Sequence, residues 1–121
     1  MPCVLIVEDD TDLSELLNFL LTANGYETMC ARNGLEALAQ MKRRKPCLVL
    51  LDMHMPLMDG WEFRRQQLHD PSHAGVPVVA VTAHYDPREV ERQLGVRCLA
   101  KPMHINDVIV EVQHACGGSS D

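Results

Sequence analysis

Cys3-Val4-Leu5-Ile6-Val7-Glu8-Asp9-Asp10 joins an uninterrupted apolar run to an abrupt acidic end. A continuous, partly β-branched run lacks the alternation of a half-solvated strand and suits a strand buried on both faces of a sheet. Such strands belong to parallel α/β sheets, in which helices connect consecutive strands. The next segment agrees. Leu13, Leu16, Leu17, Leu20 and Leu21 recur at helical spacing, after the cap-forming Asp10, Thr11 and Asp12 and before the stop signal Asn24-Gly25.

The same alternation continues to the C-terminus. Tyr26 to Cys30 reads as a second strand, and Leu35, Leu38 and Met41 mark a second helix that ends before Pro46. Leu48 to Leu51 forms a third strand running into Asp52, and the third helix spans Trp61 to Leu68. After the turn-rich Asp70-Pro71-Ser72-His73-Ala74-Gly75 comes a fourth strand, Val78 to Val81, ending at Thr82. A short helix from Pro87 to Leu94 leads to a brief strand at Cys98-Leu99-Ala100, and Ile105, Val108, Ile109, Val112 and Ala115 define the last helix. These units predict one doubly wound domain over residues 1–116, with a flexible tail at 117–121.

At 121 residues the chain has the size of a single domain, and folding should bury roughly two-thirds of its unfolded surface. Its 46% hydrophobic content exceeds that of a disordered segment, and its longest apolar runs are too short for a membrane helix. With no signal-peptide pattern at the N-terminus, a cytoplasmic location is expected. A net charge of −6 disfavours DNA and anionic membranes and favours metal cations or basic partner surfaces. The five cysteines are widely spaced and contain no C-x-x-C pair, so reduced, mostly buried thiols are expected rather than a disulfide framework or zinc site.

In a doubly wound sheet, residues just past the strand ends meet at one edge, where these folds bind ligands. Here that edge receives Glu8 and Asp9 from the first strand, Asp52 from the third, Thr82 from the fourth and Lys101 from the fifth. Converging carboxylates repel one another unless protonated or offset by a cation. Mg²⁺, which prefers oxygen ligands and retains several waters, suits so incomplete a cage, with Mn²⁺ as a substitute. If one carboxylate is a nucleophile, attack on a phosphoryl group yields an acyl phosphate, whose developing charge the cation, Lys101 and the Thr82 hydroxyl would stabilise.

The motifs Val4-Leu5-Ile6-Val7-Glu8-Asp9-Asp10, Leu51-Asp52-Met53-His54-Met55-Pro56-Leu57-Met58-Asp59-Gly60, Val81-Thr82-Ala83 and Lys101-Pro102 together resemble the receiver domains of two-component response regulators, over residues 2 to 116. The resemblance implies a flavodoxin-like (βα)5 fold with a five-stranded parallel sheet in the order 2-1-3-4-5. It implies that Asp52 is phosphorylated, that Asp9 ligates Mg²⁺ directly, that Glu8 contributes through water or hydrogen bonding, and that His54 offers its backbone carbonyl. Thr82 and Ala83 would bind the phosphoryl group, Lys101 would pair with it, and the Lys101–Pro102 bond would be cis. The implied donor is a phosphohistidine on a sensor kinase or histidine phosphotransfer protein. The implied output surface, the fourth helix, fifth strand and fifth helix, would engage an output partner or a second copy. The domain would be a regulatory phosphoacceptor rather than an enzyme, promoting its own phosphorylation and dephosphorylation.

Three departures from the family pattern carry expectations of their own. Cys98 occupies the position, three before Lys101, that usually holds an aromatic residue coupling Thr82 movement to the output face. The stretch between Thr82 and Lys101 is a few residues short, which should trim the fourth helix or its loop. His54 and His84, two beyond Asp52 and two beyond Thr82, occupy positions that tune phosphoryl lifetime. A transition-metal site at these histidines is the weaker reading. Asp10 and Asp59 read as helix caps, and Met53, Met55 and Met58 as core or loop fillers. A haloacid-dehalogenase-type phosphatase would need an acidic residue where His54 stands and usually a cap domain. A non-phosphorylated pseudo-receiver, acting as an interaction module, is the alternative.

Overall fold

The computed structural model describes residues 2–117. Five strands, β1 (Cys3–Val7), β2 (Glu27–Ala31), β3 (Leu48–Asp52), β4 (Val78–Thr82) and β5 (Arg97–Ala100), alternate with five helices. The helices are α1 (Thr11–Ala23), α2 (Gly34–Arg43), α3 (Gly60–His69), α4 (Pro87–Leu94) and α5 (Ile105–Cys116). Every strand pair is parallel, in the order β2-β1-β3-β4-β5. This is the expected flavodoxin-like order.

The continuous apolar strands separate two cores by parity. Leu5 and Val7 of β1 face a cluster with Ala37 and Met41 of α2, Phe63 of α3 and Val90 of α4. Val4 and Ile6 face the opposite cluster, with Leu17 and Leu21 of α1 and Val108 and Val112 of α5. Each such side chain, removed from water, contributes roughly 2 kcal/mol before conformational entropy is set against it. Met53, Met55 and Met58 fill the first cluster, as core packing required.

The caps fix where the helices start. Asp10 Oδ1 accepts the N–H groups of Asp12 and Leu13 at 3.0 and 3.2 Å, and Asp59 Oδ1 accepts that of Glu62 at 3.0 Å. These bonds satisfy donors that have no partner within the helix. Gly60 lets α3 begin close against the chain leaving β3: a Cβ there would sit 2.8 Å from Met53 Cα.

Two expectations need correction. The second strand begins at Glu27, not Tyr26, because the Tyr26 N–H is taken by Leu21 O at the end of α1, at 3.1 Å. The buried Tyr26 instead donates its hydroxyl to Gly117 O at 2.8 Å. The cysteines are not all thiols: Cys47 and Cys116 form a disulfide, with Cα atoms 5.3 Å apart. Linear spacing carried no sign of this pair, since only the fold brings the residue before β3 against the last turn of α5. Cys3, Cys30 and Cys98 are free, and Cys30 is exposed. Apart from Gly117, the expected tail lies outside the described residues.

Candidate functional site

Hydrogen bonds that extend the ladder past the strand ends hold the polar residues in place. Glu8 N–H donates to Ala31 O at 2.9 Å, Met53 N–H to Val81 O at 3.0 Å, and Lys101 N–H to Thr82 O at 2.8 Å. They assemble the edge predicted from the sequence. One carboxylate oxygen from each of Glu8, Asp9 and Asp52 lies within 4.8 Å of the others. Glu8 and Asp52 are buried and Asp9 is exposed, so the cluster opens to solvent on one side. The opening is a cavity of about 210 Å³ bounded by Asp9, Asp10, His54, Ala83, His84 and Lys101.

The charges inside are balanced unevenly. Lys101 Nζ approaches Glu8 Oε1 to 2.8 Å and Asp52 Oδ2 to 3.4 Å. Asp10 N–H donates to Glu8 Oε2 at 3.1 Å, and His54 N–H to Asp52 Oδ1 at 3.2 Å. Burial pushes the Glu8 carboxyl up to about 7, although its bonds to Lys101 and Asp10 N–H pull the other way. Burial also opposes the charge on Lys101, but its bond to Glu8 and the charges of Asp52 and Glu8 outweigh this and hold the ammonium above its usual value. One cation thus serves two buried carboxylates and leaves Asp9 without it. A donor set made only of carboxylate oxygens, short of positive charge and open to water, fits Mg²⁺ better than a softer ion.

Thr82 is buried, and its Oγ1 accepts N–H bonds from His84 at 3.2 Å and Tyr85 at 3.0 Å. These bonds tie the hydroxyl to the β4–α4 loop. The exposed imidazoles of His54 and His84 meet at the cavity mouth with ring centroids 4.5 Å apart. The Lys101–Pro102 bond is cis. At Cys98, which is buried, the N–H donates to Glu91 Oε2 at 2.8 Å, and burial followed by the Glu91 charge pushes the thiol up to about 11.

Tyr85 was not singled out from the sequence. Its ring packs edge-on against Trp61, centroids 5.7 Å apart, and bridges the β4–α4 loop to the start of α3. An exposed tyrosine three residues past a strand gives no local sign of such a partner.

The chain belongs to the response regulator receiver domain family, whose model matches residues 4–113. It is 34% identical to the polar-differentiation response regulator DivK of Brucella anthropi, covering 94% of this chain and 95% of that one. It is 36% identical to the transcriptional regulatory protein CpxR homolog of Haemophilus influenzae, covering 93% of this chain and 49% of that one. A similar solved structure is the signal receiver domain of a signal transduction histidine kinase from Syntrophus aciditrophicus, at 32% identity and a TM-score of 0.85, covering 99% and 93% of the two chains.

Proposed function

We propose that the chain is a phosphorelay receiver that accepts a phosphoryl group on Asp52 from a phosphohistidine donor, with a divalent cation of the Mg²⁺ type. The observation that carries this reading is the convergence of Glu8, Asp9 and Asp52 with Lys101 at one sheet edge. In the transfer, the phosphorus–nitrogen bond of the donor breaks and a phosphorus–oxygen bond to Asp52 forms. Transfer of this type is governed by positioning and by stabilisation of charge on the equatorial oxygens. Asp9, Asp52, Glu8 through water, and the His54 carbonyl would hold the cation, which when bound supplies positive charge to those oxygens; Mn²⁺ is its substitute.

Lys101, placed 3.4 Å from Asp52, is the fixed positive charge of the pocket. The Ala83 N–H and the Thr82 hydroxyl take up phosphoryl oxygens, which for Thr82 means leaving its bonds within the β4–α4 loop. That exchange supplies the two states a switch requires, because the loop leads into α4 and lies beside β5. His54 and His84 control water access to the phosphoryl group from the cavity mouth.

The donor must bring its phosphohistidine to that mouth. An apolar groove of about 510 Å³ between α1 and α5, lined by Leu13, Leu16, Leu20 and Ile105, opens beside Asp10 and Lys101 and suits an amphipathic helix of a kinase or phosphotransfer protein. Output passes through α4, β5 and α5, to a partner or a second copy. No helix among the described residues is long and apolar enough to cross a membrane.

Incubation with acetyl phosphate and Mg²⁺, followed by intact mass measurement, tests the reading. It predicts a gain of one phosphoryl group that is lost with chelator. No gain with either acetyl phosphate or a phosphohistidine donor would favour the interaction-module alternative.

A further inference from the structure

We propose that Cys47 and Cys116 form a reversible redox modification site, at which exchange with a low-molecular-weight disulfide decides whether the last turn of α5 is fastened to the foot of β3. The site lies at the sheet edge opposite Asp52, and the inference does not depend on phosphorylation of that residue.

The first observation is selectivity. Cys47 and Cys116 are bridged with Cα atoms 5.3 Å apart, within the range a disulfide spans without backbone movement. Both are half-buried at the margin of the core, with part of each residue reaching solvent. Two of the remaining cysteines are poor competitors. Cys3 and Cys98 are buried, and burial raises both thiols, which keeps them out of the reactive thiolate form. Cys30 is exposed and open to reagent, but its partner across the ladder is Ile6, so no second cysteine stands there to close a bridge.

The second observation is that the reduced state is also accommodated. Cys47 Sγ lies 3.3 Å from Cys3 O, so the thiol released by reduction has an acceptor in place. The Cys47 N–H already donates to the same carbonyl at 2.8 Å. Opening the bridge therefore does not strand the Cys47 thiol.

The third observation is mechanical. The first two-thirds of α5 are anchored independently: Val108 and Val112 are buried in the core, and Glu111 pairs with Arg97 of β5 at 2.7 Å. Beyond Val112 no residue of α5 is fully buried. The last turn is held by the Cys47–Cys116 bridge, by packing of the half-buried Ala115 and Cys116 against the core, and by the Tyr26 hydroxyl bonded to Gly117 O at 2.8 Å. Reduction removes the covalent part of that attachment and lets the turn fray more often.

The step balances as ordinary thiol–disulfide exchange. One cysteine thiolate attacks a sulfur of the small disulfide, forming a mixed disulfide and expelling one thiolate. The second cysteine attacks the protein sulfur and expels the other. Two protein thiols are oxidised, one small disulfide is reduced to two thiols, and the two protons pass to the departing thiolates.

The test equilibrates the full chain in glutathione mixtures of varied ratio, then denatures it and alkylates the free thiols. Of the five cysteines, all are expected to be labelled at the reducing end and three at the oxidising end. Hydrogen exchange at the amides of Gln113 to Cys116 should accelerate by about tenfold or more on reduction, with Val4 to Val7 unchanged. Cys30→Ser should keep this response, and the double variant Cys47→Ala, Cys116→Ala should exchange like reduced wild type at every ratio. The same label count at all ratios, or equal exchange in both states, would overturn the proposal, and because the wild type carries both readouts the result stands even if the double variant misfolds.

Discussion

Lys101 and Glu8 form an ion pair inside the acidic pocket, Nζ to Oε1 at 2.8 Å, although they come from the ends of two strands that are not neighbours in the sheet. The same ammonium reaches Asp52 at 3.4 Å, so it is held between two carboxylates rather than committed to one. Replacing it by Lys101→Met should slow phosphoryl acceptance about 100-fold, since a preorganised charge is lost where negative charge develops. Single-turnover phosphorylation at fixed Mg²⁺ measures this, and a change under threefold would remove Lys101 from the chemistry.

Glu8 makes the metal-free fold sensitive to pH. Its carboxyl is raised by burial to about 7 in the folded chain, above the ordinary value near 4.3 in the unfolded one. The folded state therefore binds this proton more tightly. The stabilisation is fully present below about pH 4.3 and is lost as pH rises through about 7, by at most about 4 kcal/mol. Urea unfolding with chelator present should show this decline, and Glu8→Gln should flatten it. Added Mg²⁺ should oppose it at high pH by binding the ionised cluster.

Gly60→Ala should destabilise the domain by about 1–3 kcal/mol, as overpacking does. The added Cβ would meet Met53 Sδ at 2.6 Å and Met53 Cα at 2.8 Å, and backbone cannot yield as a side-chain end can. Denaturant midpoints measure the loss. Because Met53 follows Asp52 directly, the variant should also weaken Mg²⁺ binding.

The fold was legible because the buried strands of a parallel sheet are written as uninterrupted apolar runs, and because Asp10 and Asp59 mark helix starts with their own chemistry. The pocket was legible for a related reason: residues that end strands are brought together by topology, so Glu8, Asp9, Asp52 and Lys101 needed no contact information to be placed side by side. What depended on tertiary approach was hidden. The Trp61–Tyr85 contact and the Cys47–Cys116 bridge each join residues whose local sequence is silent about the partner. The boundary at Tyr26 was misplaced because its apolar ring suits a strand as well as a buried turn, and the turn was set by the hydrogen bond to Leu21.

His54 and His84 sit in contact over the cavity, ring centroids 4.5 Å apart. If they shape water access, the double substitution His54→Ala, His84→Ala should alter the rate of phosphoryl loss about tenfold or more, while acceptance from acetyl phosphate changes much less. Following dephosphorylation after donor removal checks this, and an unchanged rate would assign the pair no part in phosphoryl lifetime.

Cys98 is buried with a thiol pushed up to about 11. At pH 8 it is almost wholly the unreactive thiol. Iodoacetamide applied to the native protein should label the exposed Cys30 readily and Cys98 at least about 100 times more slowly. Comparable labelling of both, measured by peptide mapping, would show that β5 opens far more freely than its packing requires.

Reductive trapping tests, at the level of the residue, whether Asp52 itself receives the phosphoryl group. Borohydride converts an aspartyl phosphate to homoserine, a change that tandem mass spectrometry locates in the chain. After Mg²⁺ and acetyl phosphate or a phosphohistidine donor, homoserine should be found at position 52 and should be absent when Mg²⁺ is withheld. Homoserine at Asp9 or another carboxylate, or a phosphoryl adduct that persists undiminished in Asp52→Asn, would show that Asp52 is not the acceptor.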